Sequence, residues 1–213
     1  MKNLLIVAAT PGEVETAHGL TIDGCTISYL TTGIGVHSTA FALGAALAVS
    51  AVDVVIHVGI AGSFLPSLPV GSVVLEASDC FADLGADNRG QFISATQLGW
   101  YKEETVFQSD GILVNPCITA LPQWAILSSL PVVKGITVQT VSGSSDVIAR
   151  RRALFRPDIE SMEGAALFYA CLTRKIPFMA LRAISNPVEP RNRDRWQVQS
   201  ALEALRNTLM LLS

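Results

Sequence analysis

The chain has 213 residues, 50% of them hydrophobic and only 15% charged, with a formal net charge of -3. That length and apolar content fit one domain spanning 1–213 with a sizeable core. The charge balance argues against a whole-surface affinity for nucleic acid or anionic membrane, so any anion recognition must be local.

A mean hydropathy of +0.43 raises the membrane alternative, but no run of roughly 20 apolar residues is present. The Ala-rich span 40–52 is short, and the next apolar region carries Asp53, His57, Pro66 and Pro69. The opening "MKNLLIVAATPGEVE" lacks the long apolar region and cleavage site of a signal peptide, and a cytoplasmic protein is expected. Four scattered cysteines (Cys25, Cys80, Cys117, Cys171) form no CxxC pair, and His18, His37 and His57 show no metal-ligand spacing. Neither a disulfide nor a metal site is expected.

Apolar runs of strand length alternate with helical patterns. "NLLIVAA" (3–9) predicts a buried strand, "CTISYLTTGIG" (25–35) a strand ending in a Gly-rich turn, and "VHSTAFALGAALAVS" (36–50) a helix. "VDVVIHVGIAG" (52–62) repeats the strand-to-glycine form, and "GSVVLEASD" (71–79) adds another strand. The region from 80 to about 115 reads as loop-rich. After it come a helix (116–129), a strand (132–141), the polar turn "SGSSD", a basic helix "VIARRRALF", a helix (164–175), the strand "PFMALRAIS" and a last helix from about 194 to 211. This alternation predicts an α/β fold with a mixed or parallel central sheet flanked by helices.

Three Gly-rich turns follow strands: "TGIG" (32–35), "GIAGS" (59–63) and "SGSS" (142–145). In open α/β sheets ligands sit beyond the carboxyl ends of strands, where glycine lets backbone N–H groups approach closely. The first turn lacks the third glycine of a dinucleotide fingerprint, and no GxxxxGK[ST] is present to form a P-loop.

Three polar residues stand at strand ends that such a sheet gathers on one rim. Glu13 follows the first strand in "ATPGEVE", Glu163 opens an apolar helix in "IESMEGAALFYA", and Asn186 precedes a proline in "AISNP". Each has a plain alternative reading: helix-start carboxylates for the first two and a turn residue for the third.

"VAATPGEV", "VGIAGS" and "ESMEGAA", in this order along the chain, resemble the purine nucleoside phosphorylase and nucleosidase superfamily over most of its length. "RAISNPVEPRNRDRW" with "FADLGAD" (81–87) is similar to the futalosine hydrolases within it, enzymes that release hypoxanthine from futalosine on a route to menaquinone. The resemblance implies a nucleoside phosphorylase-like fold and no cofactor. It makes Glu13 the base that activates water, Glu163 the carboxylate that grips the ribose hydroxyls, and Met162 the residue packing on the sugar. Ile60, Ala61, Gly62 and Ser185 would line the substrate site. Asn186 stands where adenine-releasing nucleosidases carry an aspartate; an amide can donate to N7 or O6 and accept from a ring N–H, which suits a 6-oxopurine.

Phosphorolysis needs a cationic clamp, whereas Glu13 occupies the first turn and Arg150, Arg151 and Arg152 fall on a helix. Water is therefore the expected nucleophile. Arg191, Arg193 or Arg195 could meet the substrate's benzoate, or "EPRNRDR" could be a salt-bridged, solvated helix entry. Trp196 is expected to pack the last helix. The aromatic residue that would stack on the base is open among Phe64, Phe81, Phe92 and Phe107. Rival readings are a phosphate-dependent inosine phosphorylase, a methylthioadenosine-type nucleosidase and a non-catalytic binding protein. The low charge fraction, with the resemblance, implies a homo-oligomer, with a dimer favoured.

Overall fold

The first strand sets the logic of the sheet. In β1 (Lys2–Ala8) successive side chains point to opposite faces. Leu4, Ile6 and Ala8 join one apolar cluster and Leu5 and Val7 another. Such a strand can sit only between two layers, and the computed structural model, which describes residues 1–102, 106–108, 110–116 and 122–213, shows both.

After β1 come the short helix α1 (Pro11–Glu15), β2 (Cys25–Thr31), α2 (Val36–Val49), β3 (Val54–Ser63) and β4 (Val73–Asp79). The middle holds a hairpin, β5 (Gly85–Asn88) and β6 (Gln91–Ser94), and the two-residue β7 (Leu113–Val114). Then follow β8 (Val132–Thr137), α3 (Ser145–Phe155), β9 (Ile159–Ser161), α4 (Gly164–Arg174), β10 (Phe178–Pro187) and α5 (Val198–Leu209). Helices α1 and α5 cover the face carrying Leu4 and Ile6, while α2 and α4 cover the face carrying Leu5 and Val7.

The sheet is mixed, as expected, and half of it closes on itself. β3 pairs in parallel with β10, β10 antiparallel with β4, β4 in parallel with β8, β8 in parallel with β9, and β9 returns antiparallel to β3. One residue from each strand of this ring, Ala61, Ile184, Val74, Val133 and Ile159, meets in a single apolar cluster. The ring is therefore plugged by side chains. β1 and then β2 extend the sheet from β3 as an open wing.

Four sequence expectations are corrected. The loop-rich middle contains the β5–β6 hairpin, whose Arg89 and Gly90 both take positive φ (55° and 84°), the geometry of a tight hairpin turn. Its strands "GADN" and "QFIS" are too polar to alternate visibly. Of the helix expected over 116–129, Pro122–Ser129 is a 3₁₀ segment, and 117–121, with Cys117, lies outside the described residues. The strand expected over 132–141 ends at Thr137. The last helix starts at Val198, after a separate 3₁₀ turn at Arg193–Arg195.

Candidate active site

Glu13 is fixed by its own helix. Thr10 caps α1, and its N–H and Oγ1 both donate to Glu13 Oε2, at 3.0 and 2.8 Å. The Glu13 N–H returns a bond to Thr10 Oγ1, completing a capping box. The other oxygen, Oε1, accepts the Ile60 N–H of β3 at 3.0 Å. A carboxylate with three donors and 7% exposure is pinned in one place.

Glu163 stands at the N-cap of α4, and its Oε1 accepts the Gly35 N–H at 2.8 Å. Gly35 has φ +91°, which L side chains avoid, so a glycine is needed to aim that N–H. Burial pushes the Glu163 carboxyl above the ordinary range; the Gly35 bond and the Arg182 charge oppose this, and the Glu13 charge adds to it.

Asn186 sits at the end of β10, just beyond a break in register with β3 between Ile184 and Asn186. The break turns Ser185 and Asn186 away from strict alternation. Ser185 Oγ donates to Asn186 Oδ1 at 2.9 Å, and Asn186 Nδ2 donates to the Pro187 carbonyl at 3.0 Å. One Nδ2 hydrogen remains for a ligand. Gly62 makes room: a Cβ there would lie 3.2 Å from Asn186 Nδ2 and 2.9 Å from Val188 Cγ2.

These three side chains line one cavity at the carboxyl ends of β1, β3 and β10. Ile60, Ala61, Gly62, Met162 and Ser185, each expected at the site, also line it. Arg191 and Arg193 do not; both are exposed. The neighbouring Arg195 donates to Glu189 Oε2 at 2.7 Å, which realises the salt-bridged alternative for this stretch.

Trp196, expected to pack the last helix, also lines the cavity. The Gln197 N–H bonds the Ser185 carbonyl at 2.9 Å, tying the chain back onto β10 and laying the half-buried Trp196 along the cavity wall. None of the four phenylalanines considered as stacking partners lines the cavity. Phe64 lies under Arg152, Phe92 under Arg150, and Phe81 and Phe107 pack with each other.

The three arginines of α3 are also occupied elsewhere. Arg151 is buried, pairing with Glu160 Oε2 at 3.1 Å and donating to Ser142 Oγ and the Thr140 carbonyl. Glu160 in turn holds the Ser142 N–H at 2.7 Å, so this ion pair shapes the third Gly-rich turn. Among the described residues lining the cavity there is no arginine or lysine.

The arginine that sequence reasoning overlooked is Arg182, inside a strand and 1% exposed. Its Nη1 and Glu13 Oε1 both crowd the open side of Gly59, 3.0 and 3.1 Å from where a Cβ would stand. A charged residue in an otherwise apolar strand was the available signal, because full burial of arginine is rare without a partner.

Two carboxylates and an amide around a cleft on a mixed, half-closed α/β sheet define the nucleoside phosphorylase class of fold. The phosphorylase superfamily model matches residues 5–212, and the chain belongs to that superfamily. It is 34% identical over 160 residues to the futalosine hydrolase of Streptomyces coelicolor, covering 72% of this chain and 62% of that one. It thus spans less than two thirds of that relative's length. With the futalosine hydrolase of Thermus thermophilus it shares 31% identity over 186 residues, 86% of this chain and 80% of that one. The solved futalosine hydrolase of Helicobacter pylori superposes with a TM-score of 0.77 over 99% of this chain and 97% of that one, at 15% identity.

Proposed function

We propose that this chain hydrolyses the N-glycosidic bond of futalosine, releasing hypoxanthine and the dehypoxanthinyl product. The observation that carries the reading is the convergence of Glu13, Glu163 and Asn186 on one cavity. The names of two relatives above 30% identity supply the substrate.

In this reading Glu13 takes a proton from water as its oxygen bonds C1′ and the C1′–N9 electron pair passes to the purine. The proton gained by Glu13 is balanced by the one the released base acquires. Base assistance of this kind contributes about a hundredfold to ten-thousandfold. Positive charge builds on the ribose in an oxocarbenium-like transition state, and Glu163 strengthens its hold on the hydroxyls as it does. The remaining Asn186 Nδ2 hydrogen stabilises the leaving base. Water is favoured over phosphate because the arginines of α3 are committed to Glu160, Phe64 and Phe92.

The active form is a homo-oligomer acting in the cytoplasm. Helix α2 carries no charged residue, and Phe41 and Val49 on it are 80% and 86% exposed. Ile34, just before α2, is 61% exposed and also lines the cavity. A second copy covering the surface would also complete the site. Among the described residues no helix is long and apolar enough to cross a membrane.

The test is to incubate the purified protein with futalosine, inosine and methylthioadenosine, with and without phosphate, and to separate the released bases. Hypoxanthine from futalosine, indifferent to phosphate, is expected. Phosphate-dependent release from inosine, or adenine release as the main activity, would overturn the reading. Sedimentation that finds a stable monomer would remove the oligomer.

A further inference from the structure

Beneath the cavity lies a buried polar cluster that the proposed chemistry does not itself use. Glu76 and Asp79 on β4, Arg182 on β10 and His57 on β3 are each 1% exposed. Arg182 Nε donates to Glu76 Oε2 at 3.0 Å, and its Nη2 lies 2.7 Å from His57 Nδ1. A guanidinium has only donors, so Nδ1 accepts and the imidazole is neutral. Burial, followed by the Arg182 charge, holds the His57 pKa well below its ordinary value.

The remaining hydrogens can be counted. Asp79 Oδ1 accepts the Cys80 N–H at 2.6 Å, and Oδ2 accepts Thr137 Oγ1 at 2.7 Å. Thr137 Oγ1 itself accepts the Ala165 N–H at 2.7 Å, so its one hydrogen goes to Asp79. Glu76 Oε1 is then left buried without a partner among the described residues. Leaving a buried carboxylate oxygen without a donor is costly.

Two glycines reveal what stands beside it. A Cβ on Gly164 would overlap Asp79 Oδ2 and lie 3.1 Å from Glu76 Oε1, whereas one on Gly135 would overlap Glu76 Oε1 and lie 3.4 Å from Asp79 Cγ. The start of α4 and the middle of β8 are thus both bare where the two acids meet. Two ionised carboxylates cannot share such a gap, and one proton between them removes both the repulsion and the orphan. Glu76 Oε2 already faces the Arg182 guanidinium, so the shared proton is placed on Asp79, whose pKa is raised well above the ordinary range by burial first and the Glu76 charge second.

We propose that Asp79 is a neutral acid donating its proton to Glu76 Oε1, and that this pair is the positioning device that holds the Arg182 guanidinium beside Glu13. All four carboxyl oxygens of Glu76 and Asp79 then have a partner. The buried Arg182–Glu76–Asp79–His57 group is electrically neutral, so Arg182 is held by one counter-charge on the side away from the cavity. The positioning half rests on the hydrolase reading; the proton does not.

The experiment combines infrared spectroscopy with kinetics. Wild-type protein at neutral pH is expected to show the carbonyl stretch of a protonated carboxyl, and Asp79→Asn to lose one such band. In that variant the amide donates to Glu76 in place of the acid, at the expense of the Thr137 bond, and kcat stays within about threefold. Asp79→Ala removes the donor, frees Glu76 to shift, and lowers kcat about tenfold or more with KM changed less than about threefold, as misplacement of a reacting group does. The proposal is overturned by an absent band in wild type, by its persistence in Asp79→Asn, or by equal loss of kcat in both variants. Should Asp79→Ala not fold, the wild-type spectrum and the Asn variant decide. If no nucleoside is cleaved by any form, the hydrolase reading fails while the spectrum still settles the proton.

Discussion

Gly35 N–H and Glu163 Oε1 meet at 2.8 Å across 128 residues of sequence, joining the turn before α2 to the start of α4. The glycine's φ of +91° with ψ of 165° is open almost only to glycine. Gly35→Ala is expected to cost about 1–3 kcal/mol of stability. It should also release Glu163, lowering kcat/KM by roughly tenfold. Thermal unfolding and steady-state kinetics on the same preparation check both.

Glu13 is held by its helix cap and by β3, so removing its charge should leave its place in the site intact. Glu13→Gln is expected to lower kcat by about a hundredfold to ten-thousandfold while substrate binding is retained. Thr10→Ala, which removes the cap, should cost about 1 kcal/mol in stability and a smaller part of the rate. Calorimetric titration beside turnover separates binding from catalysis; full activity in Glu13→Gln would remove this residue from the mechanism.

Two carboxyls, Glu163 and Asp79, are raised above their ordinary range, chiefly by burial. A group whose folded pKa is raised contributes stability that is fully present below its unfolded value and is lost as pH rises through the folded one. Asp79→Asn should therefore lose less stability than wild type between the ordinary carboxylate range and neutrality. The rate runs the other way: the proposed mechanism needs ionised Glu163, so kcat/KM should fall as pH drops through that raised value. An acid limb lying above the ordinary glutamate range is expected, and pH profiles of unfolding and of kcat/KM read the two effects separately.

The Arg151–Glu160 pair is buried on both sides and fixes Ser142 at the cavity. Arg151→Met leaves Glu160 uncompensated and is expected to cost about 3–5 kcal/mol. Replacing both partners by apolar residues should restore much of that loss without restoring the ordered turn. Chemical denaturation of the single and double variants measures the difference, and KM reports the turn.

In the proposed mechanism Asn186 reads the base by its amide, whereas an aspartic acid can both protonate N7 and accept from a 6-amino group. Asn186→Asp should shift the ratio of kcat/KM values toward methylthioadenosine over futalosine by about tenfold or more. An unchanged ratio would show that base selection lies elsewhere on the wall, with Trp196 and Ser142 next to be tested.

How much was legible in the sequence can be judged from particular residues. β1, β3 and β10 were visible because buried strands read as continuous apolar runs, and their strand ends pointed to Glu13 and Asn186. The β5–β6 hairpin was missed because its strands pack little and do not alternate. Arg182 was passed over for the exposed arginines behind it, since sequence shows charge but not burial. Glu76 and Asp79 were read only as part of the strand 71–79.

The local pattern alone determined the buried apolar strands, the main helices and which turns carry glycine, because those choices depend on neighbours three or four residues away. Only the tertiary structure decided which polar groups share a cavity, that the ring β3–β10–β4–β8–β9 closes, and where each arginine spends its charge. Those outcomes depend on distances between residues a hundred positions apart, and on water being excluded between them once the sheet has closed.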